Sequence, residues 1–335
     1  MAALDRERVP APVTLGVTPV LAAQLAMPAF AQELREFLAA RLLTCDEAEI
    51  DVAARGETAL VPVVQYWRSL YRRRLETFDA LDGDMVRALR DMERGGQIEL
   101  ISSAATHGFL PLLGRDESIR LQLFAGKLEH KRLFGREASG MWLPECAYRP
   151  KGKWAPWPGG PTVTMREGIE TFVREAGYRF TVVDSHLARA GRPLEAYGGN
   201  WAVPGAGVGG TAKKRSAKEV HGETRSAYRD YVIGTREPSV HALVRDPIAT
   251  RQVWERDGGY PGGGAYLEFH KIRWPGGLKL WEVTGSKVPL GGKQPYDPQR
   301  ARWLARDHAN HFAGLLETTA RKATSGESVI VAPFD

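Results

Sequence analysis

Cysteine is scarce: Cys45 and Cys146 are the two in a chain of 335 residues. Two thiols cannot build a disulfide framework or a cysteine-rich zinc site, and a reducing cytoplasm is the simplest home for such a chain. Long apolar runs are missing as well. The best candidate, residues 13–30, is broken by Pro19 and Pro28 and carries Thr and Gln, so it reads as a strand followed by a helix and not as a membrane span. Residues 1–8 are short, charged and mixed, unlike a signal peptide. Charge of one sign does not dominate. Lys and Arg number 46 against 40 Asp and Glu, a net +6. The Arg residues are scattered, which suits a solvated surface better than a nucleic-acid stripe.

Signatures of cofactor chemistry are also lacking. No His-Glu-x-x-His pattern occurs, and the eight histidines are dispersed. His308 and His311 share an i, i+3 helical spacing, but with no third ligand in view they read as packing or solvent-facing residues. The run GAGVGG at 205–210 has no clear strand before it and no helix after it, so it is not a dinucleotide fingerprint. No metal or cofactor is expected. No internal repeat is found.

Apolar residues make up 43% of the chain and charged residues 26%, ordinary values for a protein with a buried core. The length suits one α/β barrel unit. Helical spacing marks residues 29–43, with Phe30, Leu34, Phe37, Leu38 and Leu42 in phase. Further helices are expected at 60–78, at 84–94 with Gly95 and Gly96 as a stop, at 118–134, at 163–176 closed by Gly177, and at 297–322. Strands are expected at 12–17, 97–103, 140–143, 178–184 and 328–334, the first and the last of them buried. Alternating strand and helix argues for a parallel sheet or barrel, whose sites gather at the strand C-terminal ends. His107, Glu145, Asp184 and Asp335 each fall just past a strand. Residues 198–222 are Gly-rich and then basic, with too few apolar residues to bury themselves. They read as a solvated surface loop or as a lid over a binding groove.

Three segments hold candidate chemistry. In GMWLPECAYRP (140–150), Glu145 follows Trp142 and Pro144 at a strand end. Pro144 stiffens the approach, and Trp142 offers a flat face for a sugar ring. The residues alone leave Glu145 open as a plain loop glutamate or a catalytic carboxylate. In GQIELISSAATHGFLPLL (96–113), His107 reads as a core residue or, if it faces Glu145, as part of a site. In VIVAPFD (329–335), a strand ends in the carboxylate of Asp335.

Together these segments resemble three sequence regions of glycoside hydrolase family 57, and the stretches at 245–270, 280–285 (LWEVTG) and 294–312 resemble its branching-enzyme branch. The resemblance runs from about residue 10 to the end. It implies an α/β fold, a (β/α)7 barrel, with Glu145 as nucleophile and Asp335 as acid/base. It implies that His107 lines the donor sugar subsite, that Trp142 and Trp281 contact sugar, and that Trp254 and Tyr260 lie on the acceptor side. Asp184 would hold structure or touch sugar. The implied partner is an α-1,4-glucan; nucleic acid and membrane are not expected partners. The family's His-x-His strand, its Leu-Phe-Gly-His-Trp-Trp run and its C-terminal helical domain have no counterpart here, so the barrel is expected to be incomplete at both termini. Residues 198–222 form a longer insert than the family leads one to expect. The implied reaction retains anomeric configuration, which needs two carboxyl groups about 5–5.5 Å apart. A branching enzyme is the leading expectation. An amylase, a 4-α-glucanotransferase or an inactive glucan-binding fragment are the alternatives.

Overall fold

The computed structural model describes residues 13–155, 164–188, 225–234, 237–323 and 328–334. In chain order the strands are β1 (Val13–Gly16), β2 (Ile98–Ser103), β3 (Gly140–Trp142), β4 (Gly152–Trp154), β5 (Thr164–Arg166), β6 (Phe180–Val183), β7 (Asp230–Ile233) and β8 (Val240–Val244). The helices are α1 (Pro19–Leu25), α2 (Phe30–Ala54), α3 (Val61–Ala80), α4 (Met85–Arg94), α5 (Asp116–Phe134), α6 (Ile169–Glu175), α7 (Pro247–Trp254) and α8 (Pro298–Lys322).

The main sheet runs β1-β2-β3-β6-β8-β7, parallel throughout except for β7 against β8. The parallel strands sit side by side in the order in which the chain makes them, as a (β/α) barrel wall requires. Arg245 also forms a parallel bridge with Val331, which brings the last described residues beside the end of β8. The α/β class and the parallel order expected of a (β/α)7 barrel both hold. The main core lies between this sheet and its helices: Met141, Val183, Ala242 and Val244 from the strands pack with Ile119, Leu123, Ile169, Phe172 and Val173 from the helices.

Local chemistry sets the helix starts. Asp84, Asp246 and Asp297 precede α4, α7 and α8, and each carboxylate accepts from backbone N–H groups of the first turn. Pro follows the cap of α7 and α8, where no donor is lost. Gly135, at φ 77°, ends α5 in the left-handed region. Gly126 does something different. A Cβ there would stand 2.4 Å from Ser103 O, so only glycine lets α5 lie this close to the end of β2.

Several expected elements differ. The strand at 12–17 was expected to be buried, but β1 is mostly exposed, with Val13 at 43%, because it has a neighbour on one side only among the described residues. The helix expected over 163–176 begins at Ile169; residues 164–166 pair instead with β4 as an antiparallel hairpin. Residues 328–334 make a single bridge, not a ladder. The helix at 29–43 continues to Ala54 because its inner face keeps finding partners: Cys45 and Val52 pack on Leu60, Val63 and Val64 around α3 and on Leu278 and Leu280. The antiparallel β7 had no expectation attached. The insert at 198–222 lies outside the described residues. No helix among the described residues is long and apolar enough to cross a membrane.

Candidate active site

The C-terminal ends of β2, β3, β6 and β8 are neighbours in the sheet, so the residues just past these strands gather on one rim. His107 comes after β2, Glu145 after β3, Asp184 after β6 and Arg245 after β8. His107 Nε2 stands 4.0 Å from Glu145 Oε1. The two residues that the sequence left ambiguous thus face each other.

The backbone here is unusual. Glu145 has φ 57° and ψ 23°, and Cys146 and His107 have φ of 52° and 55°. These are left-handed conformations that side chains with a Cβ rarely adopt, and such strain concentrates at functional sites. Pro144 enters the turn, Cys146 N donates to Leu143 O at 2.8 Å, and Cys146 is buried beneath. The result turns the Glu145 side chain outward, 72% exposed, while both its neighbours are buried. A carboxylate presented this way is accessible to a bound molecule. Cys146 is not a competing nucleophile, because burial pushes its thiol up to about 12.

Neighbouring groups brace the rim. Ser103 Oγ donates to Trp142 O at 2.8 Å and lies 3.1 Å from His107 Nδ1. Arg245 Nη1 is 3.7 Å from Asp184 Oδ2 and 4.0 Å from Cys146 Sγ. Asp184 Oδ1 also accepts from the backbone N–H of His186 at 3.2 Å and lies 3.1 Å from that ring's Nδ1. Burial alone would raise the Asp184 carboxyl, but the His186 hydrogen bonds and the Arg245 charge hold it below the usual carboxylate range. Asp184 is therefore an anionic brace between β6 and β8.

The remaining expected site residues fall in other surroundings. Trp142 ends β3 and is half-buried, directly before the Glu145 turn. Trp254 ends α7 and its indole Nε1 donates to Pro333 O at 3.3 Å, tying α7 to the segment that leads to Asp335. Phe334 packs edge-on against Phe312 of α8 at 5.3 Å. Asp335 itself lies outside the described residues. Tyr260 stacks on His308 at 4.4 Å and its hydroxyl is 2.8 Å from His311 Nδ1. It lines a cleft of about 450 Å³ with Gln252, Leu304 and Asp307. Trp281 packs on the α2–α3 cluster, with the Lys271 ammonium 4.3 Å above its ring. Among the described residues, no group of three His, Cys, Asp or Glu side chains could hold a metal ion.

Sequence reading did not single out Ser103, His186 or Arg245. Ser103 had one available signal, its position four residues before His107. Arg245 had none within its own segment, since its partners lie in other strands' loops.

The chain and its fold resemble known proteins. The model of the family described as glycosyl hydrolase family 57 matches residues 37–246. The 1,4-alpha-glucan branching enzyme TK1436 of Thermococcus kodakarensis is 36% identical over 326 residues, covering 96% of this chain and 44% of that protein. The crystal structure of TK1436 with glucose superposes with a TM-score of 0.82 at 35% identity, over 100% of this chain and 56% of that one. The crystal structure of a GH57-type branching enzyme from Pyrococcus horikoshii gives a TM-score of 0.81 at 31% identity, over 100% of this chain and 55% of that one. The chain thus spans about half the length of these relatives. A family model that covers well over half of the chain, and a relative of this identity over nearly all of it, show that the chain belongs to glycosyl hydrolase family 57.

Proposed function

We propose that this chain is barrel sequence of a retaining 1,4-α-glucan branching enzyme, working on an amylose- or glycogen-like substrate in the cytoplasm. The observation that carries the reading is the 36% identity to a 1,4-alpha-glucan branching enzyme over 96% of the chain. The exposed Glu145 carboxylate opposite His107, at the strand ends, supports it.

In this reading Glu145 attacks the anomeric carbon of the glucan and forms a covalent glucosyl-enzyme. Asp335 protonates the departing glycosidic oxygen and then takes a proton from the incoming hydroxyl. His107, Trp142 and Trp281 contact the donor chain, and Trp254 and Tyr260 serve the acceptor. Asp184 serves as a brace. The acceptor in the second step decides the product. Water would give hydrolysis, a 4-hydroxyl a redistributed linear chain, and a 6-hydroxyl a branch. The free, buried thiols of Cys45 and Cys146 suit a reducing compartment. Glycogen-type biosynthesis is the process that would use the product.

The test is product analysis with amylose. Proton NMR should show new α-1,6 anomeric signals, and a debranching enzyme should release short linear chains. Only reducing ends would make the protein an amylase. Redistributed 1,4 chains without 1,6 linkages would make it a 4-α-glucanotransferase. Binding without turnover would leave a glucan-binding fragment.

A further inference from the structure

Ser103 closes β2, and its hydroxyl lies between Trp142 O at 2.8 Å and His107 Nδ1 at 3.1 Å. A carbonyl oxygen only accepts, and a serine hydroxyl has one proton to give. The contact with Trp142 O takes that proton. Ser103 Oγ then has only lone pairs to offer the imidazole, so Nδ1 must carry a hydrogen. The neutral ring is left with no hydrogen on Nε2, the atom that stands 4.0 Å from Glu145 Oε1. We infer that Ser103 is a positioning residue that acts through His107, holding the ring in its Nδ1–H tautomer so that Nε2 presents a lone pair to the cleft.

The surroundings make this arrangement hard to escape. Ser103 is 2% exposed, so water cannot substitute for its partners. Gly126 presses within reach of Ser103 O and fixes the end of β2. The His107 backbone is itself pinned, with its N–H on Ala104 O at 3.0 Å. A free neutral imidazole favours the hydrogen on Nε2, and a partner at the other nitrogen reverses that choice.

The tautomer matters to the site in two ways. In its Nδ1–H tautomer His107 has no Nε2 hydrogen to donate to Glu145, so it leaves free the lone pairs that the nucleophile needs. Its Nε2 is instead an acceptor for a sugar hydroxyl. The identity of that sugar rests on the proposed function; the tautomer does not. Without the Ser103 hydroxyl, Nδ1–H loses its acceptor, the ring reverts to Nε2–H, and that hydrogen turns to Glu145.

The experiment uses the full chain labelled with ¹⁵N-histidine, at a pH well above the range in which imidazoles titrate. The His107 signal is identified by its loss in His107→Gln. Wild type should show a protonated Nδ1 and an unprotonated Nε2. Ser103→Ala should reverse the pair, and Ser103→Thr, which keeps the hydroxyl, should restore it. Maltoheptaose should bind Ser103→Ala about five- to ten-fold more weakly, the loss of one hydrogen bond, with recovery in Ser103→Thr. A wild-type His107 with its hydrogen on Nε2 would overturn the inference even if Ser103→Ala fails to fold. An unchanged tautomer in Ser103→Ala would overturn it too. A tautomer that tracks the hydroxyl in a protein that binds no maltoheptaose would uphold the role of Ser103 and sink the substrate reading.

Discussion

The two ends of the parallel sheet use polar side chains in opposite ways. Before β3 and β6, Lys127 of α5 donates to Ala138 O at 3.2 Å and Gly177 O at 2.6 Å, and its ammonium lies 4.6 Å over the Tyr178 ring. One buried cation thereby ties two strand starts together. Burial pulls this ammonium below its ordinary value, against the opposing pull of Glu137. One turn along the same helix, His130 is 1% exposed and packs on Phe134, with neither ring nitrogen hydrogen-bonded among the described residues. At the far end Ser103 and Arg245 also join neighbouring strands, but beside them the exposed carboxylate of Glu145 and the Nε2 of His107 keep capacity to spare. One end buries its polar groups and holds the fold. The other holds its backbone in left-handed conformations and leaves its valences open. This division is the general one for barrels, with chemistry on the strand C-terminal face and stability opposite.

The comparison can be broken most sharply at Glu145. Replacing it with Gln should lower glucan transfer by at least about 10³-fold if Glu145 is the nucleophile proposed above. The melting temperature should hold or rise slightly, because the carboxylate serves no fold contact beyond His107. A large loss of melting temperature would mean that the open end also carries the fold.

Lys127→Met should do the reverse. It leaves Ala138 O and Gly177 O without a donor in a buried place, at a cost of about 2–4 kcal/mol in urea unfolding. Activity per folded molecule should be unchanged. If turnover fell as well, the two ends would be mechanically coupled.

His130 sharpens the contrast through pH. Burial, with help from the Lys127 and Arg136 charges, holds its folded pKa down at about 4 against an ordinary 6.5. Between those values the unfolded chain binds a proton that the folded chain refuses. Stability is therefore full above the ordinary value and falls as pH drops towards about 4, by at most about 3 kcal/mol. Denaturant midpoints measured across this window should slope in wild type and flatten by that amount in His130→Phe. Equal slopes in both proteins would show that the ring is not held neutral.

Some of this was legible from the residues in order. Helix positions came from apolar spacing and from the glycine stops at 95–96 and 177, because a helix and its stop signal are set by neighbours along the chain. The run Trp142–Pro144–Glu145 was legible as a strand leading into a turn with a carboxylate, and the alternation of elements as a parallel sheet. Family membership was legible in the same short motifs. Other features were not. Nothing in GMWLPEC indicates that Glu145 takes a backbone conformation normally left to glycine. Nothing near Ser103 announces that its hydroxyl meets Trp142 O, 39 residues away, or near Arg245 that its guanidinium reaches Cys146, 99 residues away. β5 hid inside a stretch read as the start of a helix, because its partner β4 lies ten or more residues earlier in the chain. Periodicity, caps and motifs are set by neighbours along the chain, so the order of residues determined the elements and the family. The Ser103 and Arg245 braces and the exposure of Glu145 depend on which strand ends lie side by side, and that was decided only when the sheet brought together residues far apart in sequence.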